Sequence, residues 1–558
     1  ARLLSEQPQE ALVLHDRASR WYERHGSPHD AIEHALAGGS FDRAARLMEA
    51  TAPSIRRDRQ DAVLLGWLGQ LPDSTVGTSP VLAVFAGYSR MLAGDFDGAE
   101  DRFVQAEGVL DSVTEGERAG WREGDEVRTL PATIAVYRAS IAQAQGDVER
   151  TVRHARSALR LAGPDDHQAR GGGAGFLGLA AWAAGDVAGA LESFSEAVAS
   201  LRAGGNLIDA LTSTVVLADL WVVAGRPGQA RRLYGEALRV AEQQGSAVAR
   251  ATADLHVGVS ELDLEAGDRD EAARHLEVSS DARGPLGMPE SHYRWFLARA
   301  ALARADGAPT DAIGFLDRAE SLYHPGFFPD VRPIRAMRAR IWIAEGDLQG
   351  AGAWARERGL SPADTVEYRR EFEHLTLARL LLASGAPDDA LGLLDRLHDD
   401  ADGAGRGGSL LEIRMLQALA LRAVGEGSAA RGRLAHALQS APDATGFTQA
   451  FLNEGATMAD LLRRVADAGG PGSEVAGLLR RAGGAARSPA SPSPAPALSD
   501  RELQVLRLLD TELSGPEIAR RLFVSQNTLR SHTKHIYTKL DVSSRRAAVL
   551  RAHDRGLL

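Results

Sequence analysis

The stretch Gly185-Asp186-Val187-Ala188-Gly189-Ala190-Leu191-Glu192-Ser193-Phe194-Ser195-Glu196-Ala197 holds the pattern that decides the fold. Ala190, Phe194 and Ala197 stand 5, 9 and 12 residues after Gly185, an i, i+4, i+7 series on one face of a helix. An apolar segment leads into the glycine, which can take the left-handed conformation that ends a helix. The stretch therefore reads as helix, tight turn, helix. The same offsets carry Ala230, Tyr234 and Ala237 after Gly225, and Ala390, Leu394 and Leu397 after Gly385. Alanine at the first of these positions lets the paired helices approach closely.

Outward from this stretch, a Gly followed five residues later by Ala recurs at Gly39/Ala44, Gly94/Ala99, Gly185/Ala190, Gly225/Ala230, Gly267/Ala272, Gly307/Ala312, Gly346/Ala351, Gly385/Ala390 and Gly425/Ala430, with a degenerate copy at Gly146/Thr151. From Gly146 on, successive glycines lie 39, 40, 42, 40, 39, 39 and 40 residues apart. Helical hairpins that bury only one face must stack on their neighbours, so this period predicts an all-α, right-handed solenoid with an extended concave surface. The pattern resembles tetratricopeptide repeats, with the period lengthened from about 34 residues.

The last 61 residues follow another plan. Ser499 with Glu502, and Ser514 with Glu517, are capping boxes, and Pro516 sits in a first helical turn where its missing N–H costs nothing. Leu503, Leu506 and Leu509 continue the first helix, Glu517 to Leu522 form a short second one, and Ser525 caps a third running to about Leu540. Leu529, Ile536 and Leu540 make the apolar side of that third helix; Asn527, Arg530, Ser531, Lys534 and Thr538 occupy the other. Two helices joined by a tight turn, the second basic on its outer face, are a helix-turn-helix. From Leu498 to Leu558 there are 11 Arg and Lys against 7 Asp and Glu, a net of +4, which leaves 53 against 68, a net of −15, for everything before. Both lysines of the chain, Lys534 and Lys539, lie on the third helix. That is the electrostatic footprint of a DNA reader.

The strings Leu498-Ser499-Asp500-Arg501-Glu502-Leu503-Gln504-Val505-Leu506, Glu517-Ile518-Ala519, Thr528-Leu529-Arg530-Ser531-His532 and Lys539-Leu540-Asp541-Val542-Ser543-Ser544-Arg545 resemble the LuxR-type C-terminal DNA-binding domain. The resemblance implies a four-helix module that places its third helix in the major groove of duplex promoter DNA. It assigns base contacts to Arg530, Ser531 and Lys534, with Asn527 on the same face, and phosphate contacts to Ser525, Thr528, His535 and Lys539. Arg530 suits a guanine edge, and Lys534 a base or a phosphate. His532 is expected to pack rather than read bases. The family's last helix, here Ser544 to His553, mediates dimerisation, with Ala547, Ala548, Leu550 and Ala552 on the expected face. Gly515-Pro516 and Thr533 depart from the usual pattern, removing a phosphate contact and an apolar residue respectively.

Further strings widen the resemblance to the large MalT-like LuxR regulators: Leu14-His15-Asp16-Arg17-Ala18-Ser19-Arg20-Trp21-Tyr22, Phe327-Phe328-Pro329-Asp330-Val331-Arg332-Pro333 and Glu371-Phe372-Glu373-His374-Leu375-Thr376-Leu377-Ala378-Arg379. The resemblance implies residues 1–30 as the remnant of a winged-helix region, 31–481 as a repeat array that senses an effector, 482–497 as a Pro/Ala/Ser-rich linker and 498–558 as the DNA-binding domain. It also implies an ATP-binding switch ahead of the array. No Lys precedes residue 534, so these residues hold no P-loop and no receiver domain. ATP is therefore expected of a domain outside this sequence, with no cofactor inside it.

Composition narrows the remaining possibilities. Without cysteine there are no disulfides, thiolate metal sites or cysteine nucleophiles. No run of 18 apolar residues occurs, so a cytoplasmic protein without a membrane partner is expected. His15, His25, His29 and His34 are separated by Gly26-Ser27-Pro28 and are not expected to hold a metal. Gly171 to Gly175 and Gly403 to Gly408 lack the Lys of a phosphate loop and read as inter-repeat turns. Trp182, Trp221 and Trp342 share a repeat phase and read as core. Tyr323 to Pro333 is long and rich in Pro and Phe, which leaves an inducer pocket and a structural loop both open. No nucleophile–base pair survives inspection, so an enzyme is not expected. The leading reading is a transcription regulator, an activator, that self-associates, meets RNA polymerase and senses a small-molecule or protein effector. The alternative is a protein-docking scaffold addressed to DNA by its C-terminal module.

Overall fold

The computed structural model describes residues 8–57, 61–114, 126–283, 289–323, 328–441, 443–468, 477–478, 500–511, 513–522, 529, 533, 536–537, 542 and 545–554. Among these residues helix follows helix and no strand occurs. The chain divides into two compact units, Ala1–Leu479 and Arg480–Leu558.

Each repeat glycine of the first unit is left-handed, from Gly39 at φ +68° to Gly267 at +90°. Each residue five positions later is fully buried, from Ala44 to Ala430. In the degenerate copy, Thr151 satisfies its hydroxyl on the Asp147 carbonyl at 2.8 Å, so a polar residue can stand in the alanine position. Two turn chemistries start the second helix. Where Asp follows the glycine, as in Asp147, Asp186 and Asp347, its carboxylate accepts the N–H of Arg150, Gly189 and Gly350, each at 2.9 Å. Where Pro stands two residues on, as Pro227 and Pro387, it opens the helix with its fixed φ.

Two expectations are corrected. Residue 30 is not a domain boundary: it lies inside the helix Pro28–Ala37, which pairs with Pro8–Arg24 around Gly26, at φ +76°, with Ala31 five residues on and fully buried. Residues 8–30 thus have the repeat architecture, hidden in the sequence because Gly26-Ser27-Pro28 reads as a plain break. Gly171 to Gly175 are not a turn either but the interior of the helix His167–Ala183. A Cβ at Gly171 would come within 2.6 Å of Leu201, and one at Gly172 within 2.8 Å of Val136, so these glycines admit the neighbouring helices rather than bend the chain. Gly405, at φ +67°, does lie in a turn.

The solenoid meets itself. Trp182 donates from Nε1 to the Tyr368 hydroxyl at 3.0 Å across 186 residues, the Gly228 N–H donates to Asp443 at 3.1 Å across 215, and the Ala450 N–H to Glu265 at 2.9 Å across 185. One superhelical turn therefore takes about five repeats of ~40 residues, and successive turns touch. Trp182 is buried in the core cluster with Phe194 and Leu217, while Trp221 is half-buried against it and Trp342 packs half-buried against a later one.

A histidine pair occurs twice at one repeat phase, eleven residues before a turn glycine and eight after it. Nδ1 of His15 and of His34 are 2.8 Å apart, as are those of His256 and His275. In both hairpins a serine hydroxyl, Ser19 or Ser260, donates to the carbonyl of the buried alanine, Ala31 or Ala272, at 2.7 and 2.9 Å. Of the other two N-terminal histidines, His25 stacks on Trp21 and His29 lies edge-on to Trp67.

A hydrogen bond between two Nδ1 atoms requires one ring to accept and so to stay neutral. Burial, then the neighbouring His275 and Arg274 cations, pull His256 down to about 4, while burial first and then Arg274 lower His275. Unfolding frees both rings to protonate near 6.5. Their contribution is thus present above about pH 6.5 and is lost as pH falls toward 4. The melting temperature should drop across that interval, and replacing both His256 and His275 with Phe should flatten the drop in thermal scans; an unchanged slope counts against the pairing.

Gly225 and Gly307 have nearly the same φ, +77° and +75°, but a Cβ on Gly225 would lie 2.9 Å from the Gly407 carbonyl carbon, whereas none of the surroundings of Gly307 comes within 4 Å. Gly307→Ala should cost about 1–2 kcal/mol of left-handed strain. Gly225→Ala should cost about 1–3 kcal/mol more, because backbone must move. Equal losses in denaturant titrations would mean that the turns do not touch in solution.

Candidate nucleic-acid interface and inner face of the array

The C-terminal unit is built on a small apolar core of Val505, Leu506, Leu509, Ile518, Ala519, Leu529, Ile536, Ala548 and Ala552. Its first helix is Asp500–Leu509, its second Gly515–Arg521 and its last Arg545–Asp554. The second capping box closes as the spacing requires: Glu517 accepts from the Ser514 N–H at 2.8 Å and from its hydroxyl at 2.6 Å. Leu529 and Ile536 are buried two helical turns apart, the inner positions of the third helix in the sequence. Thr533, a departure from the usual apolar residue, is half-buried and donates to the Leu529 carbonyl at 2.9 Å.

Arg530, Ser531, Lys534, Asn527, Ser525, Thr528, His535, Lys539 and His532 lie outside the described residues. Of the expected dimerisation set, Ala548 and Ala552 are fully buried in the module's own core, Ala547 is half-buried, and the Leu550 side chain lies outside the described residues. The small size of Ala548 and Ala552 serves the packing of the last helix onto the first.

Arg545 is a residue that spacing alone does not single out. Its guanidinium donates to three backbone carbonyls, Leu509 at 2.9 Å, Leu513 at 2.7 Å and Thr511 at 2.5 Å. These carbonyls lie at and beyond the C-terminal end of Asp500–Leu509, where a helix leaves acceptors unsatisfied and favours a cation. Arg545 therefore ties the first helix and the turn after it to the last helix. Arg545→Ala should speed hydrogen exchange over 500–522 by about thirtyfold, equivalent to about 2 kcal/mol, with Arg545→Lys rescuing little because an ammonium lacks the planar fork.

The array carries a second concentration of charge. Asp219, Glu261, Arg340 and Arg379 each stand six residues before a repeat glycine, and Arg294 and Glu412 thirteen before, two turns back on the same helix face. These positions converge. Arg294 bonds Asp219 at 2.8 Å and Glu261 at 2.5 Å; Arg379 bonds Glu412 at 2.8 Å and Glu454 at 2.7 Å; Arg340 pairs with Glu412 at 3.0 Å. Side-chain exposure runs only from 11% at Arg379 to 35% at Glu261. Burial is the largest influence on Asp219 and pushes its carboxyl up, with Arg294 opposing. Burial also acts on Glu412, yet Arg340 and Arg379 outweigh it and hold that carboxyl down to about 2. These partly wetted, partly desolvated charges form ion-pair networks that reach across repeats. Sequence reading passed over them because the sign changes along the array, acidic at Asp219 and Glu261, basic at Arg294, Arg340 and Arg379, and acidic again at Glu412; charges at two fixed offsets in otherwise apolar helices were the available signal.

The segment Phe328–Pro333 reaches this region. Val331 packs half-buried against the cluster that holds Trp182, Leu217 and Tyr368, more than 100 residues earlier for the first two. Among the described residues no group of three His, Asp or Glu side chains is arranged to hold a metal ion.

A helical-hairpin array followed by a separate, small module with a helix-turn-helix signature defines a modular all-α protein. The MalT-like TPR region model matches residues 132–468, and the model of the luxR family of bacterial regulatory proteins matches 496–552. The chain belongs to the MalT-like family. It is 24% identical to the HTH-type transcriptional regulator MalT of Serratia proteamaculans (strain 568) over 576 residues, covering 97% of this chain and 61% of that protein. The MalT regulator of Yersinia pestis (strain Pestoides F) is 23% identical with the same coverage. The chain thus spans about three fifths of the length of these relatives. Among solved structures, the APC/C hetero-tetramer Cut9-Hcn1 matches over 86% of this chain and 94% of that one at 12% identity, with a TM-score of 0.41. A Rap protein complexed with competence and sporulation factor matches over 72% and 99% at 14% identity, with a TM-score of 0.37. No helix among the described residues is long and apolar enough to cross a membrane.

Proposed function

We propose that this chain is the effector-sensing and DNA-binding part of a transcriptional activator of the MalT type. The observation that carries the reading is the coincidence of the luxR-family match over 496–552 with a unit that has its own buried core and closed capping box. The basic third helix enters the major groove of promoter DNA, Arg530, Ser531, Lys534 and Asn527 meet base edges, and Ser525, Thr528, His535 and Lys539 hold phosphates. Self-association pairs two modules on one site and brings RNA polymerase to the promoter. ATP handling is assigned to residues outside this chain, whose only lysines are Lys534 and Lys539. The effector acts on the array, where the converging charges of the inner face supply a recognition surface that the alternative of a docking scaffold does not require.

Operator selection followed by fluorescence anisotropy tests this reading. Arg530→Ala should lose about 1–3 kcal/mol and relax base preference at one position. Lys539→Ala should weaken all sequences evenly and reduce the salt slope by about one. Retention of the wild-type operator preference by Arg530→Ala would refute the base assignment.

A further inference from the structure

The exposed side of one array helix carries a row of cations. Val148–Leu161 holds Arg150, Arg153, Arg156 and Arg160 against Glu149, a net of +3 within an array that is acidic as a whole. Arg153, Arg156 and Arg160 follow one another by three and four residues, so they share one face, and all three are exposed. None of the three side chains has a hydrogen bond or ion pair among the described residues. By contrast, Arg335, Arg338 and Arg340 of the later helix Ile334–Ala344 each reach a carboxylate. Val148 and Val152 join Glu149 and the three arginines in lining an open groove of about 490 Å³.

An exposed row of cations is stable in water without a partner, so the deciding question is whether the chain holds its complement. It does. Pro387–Gly403 carries six Asp against Arg396, a net of −5. Asp395, Asp399 and Asp402 share one face at steps of four and three, and all three are exposed. Asp395 accepts from Gln417 at 2.7 Å, while His398 lies 3.6 Å from Asp399 and Arg414 lies 3.8 Å from Asp402. The Asp399 and Asp402 side chains nevertheless stay 90% and 63% exposed. Taken in opposite directions, the two sets of steps coincide, so antiparallel helices set Arg153 against Asp402, Arg156 against Asp399 and Arg160 against Asp395. No ion pair joins the two helices within one chain among the described residues. We propose that the array self-associates by docking Val148–Leu161 of one copy antiparallel against Pro387–Gly403 of a second copy. This inference gives a surface to the self-association in the proposed function and rests on that part of it. The contact is heterologous, so a further one can form, either back between the same two copies or onward to a third. Its pairs are exposed, which makes the affinity modest and sensitive to salt. Phosphates also suit a row of arginines, but Val148 and Val152 in the groove favour a protein surface over a nucleic-acid backbone.

Analytical ultracentrifugation of the 558-residue chain without DNA tests the contact. At about 50 mM salt the wild-type mass should rise with concentration, and about 500 mM salt should weaken the association about tenfold. Arg153→Glu with Arg156→Glu should weaken it about tenfold, as should Asp399→Arg with Asp402→Arg. All four changes in one chain should restore it, because the signs are then exchanged on both helices. A wild-type mass that stays at one chain, an association that neither pair of reversals weakens, or a failure of the combined variant to recover overturns the proposal. A reduced salt slope of DNA binding in the Arg153→Glu, Arg156→Glu variant, with its mass unchanged, also overturns it and assigns the row to phosphates. Operator binding by the same preparations keeps the two readings apart: a monomer that binds DNA loses only the array contact, and an associating chain that binds no DNA loses only the regulator reading.

Discussion

A helix pair joined through a left-handed glycine, with an alanine buried five residues on, can cover only one of its faces. Everything else in the array follows from where the remaining faces go. Adjacent hairpins cover the sides, which is why Phe103, Phe194, Tyr234, Leu394 and Leu434 recur at one offset from the turn and are all buried. The outer face meets water. The inner face curls toward itself, and at about five repeats per turn it is enclosed by other inner faces. Small residues then decide how closely turns approach: Gly225 rests on Gly407, and Gly185 on the Tyr368 ring, with no room for a side chain at either.

Enclosure changes what charge can do there. On an open concave surface, residues such as Asp219 and Arg294 would contribute little, since exposed ion pairs are worth about 0–1 kcal/mol. Where these side chains are largely buried, desolvation makes every unpaired charge costly and every pair mutually required. Arg294 is accordingly held by two carboxylates, and Glu412 by two arginines. Such a network specifies geometry more than it adds stability, because burying the charges offsets much of their attraction. The module solves its own version of this problem with Arg545, whose charge is met by backbone carbonyls instead of a carboxylate.

What was legible in the sequence was what depends on near neighbours. Gly185 and Ala190, or Ser514 and Glu517, interact within one turn, and spacing alone revealed them. Gly26 and Ala31 obey the same rule but were masked by Ser27-Pro28. Gly171 to Gly175 misled for the opposite reason: glycine-rich runs read as loops, while here missing side chains make space for Leu201, Val136 and Leu159 around a helix. The contacts between turns join residues 185 to 215 positions apart and leave no local trace. The inner charges were visible individually and unreadable together, since only the superhelix brings Asp219 to Arg294 or Arg379 to Glu454. The base- and phosphate-contact positions rested on family resemblance from the start.

The array therefore contains two kinds of contact of unequal strength. Within and between adjacent hairpins the contacts are apolar and continuous, each fully buried side chain worth about 1.5–3 kcal/mol. Between turns they are few and polar, with net values of about 0.5–1.5 kcal/mol for each hydrogen bond. An effector can shift a structure only through a difference in its affinity for two states. The contacts it can most readily bias are those whose strength its own binding energy exceeds, and these are the links between turns. Glu265, which accepts the Ala450 N–H from the neighbouring turn, is one of them. Biasing such a link would move one superhelical turn against the next while leaving each hairpin intact.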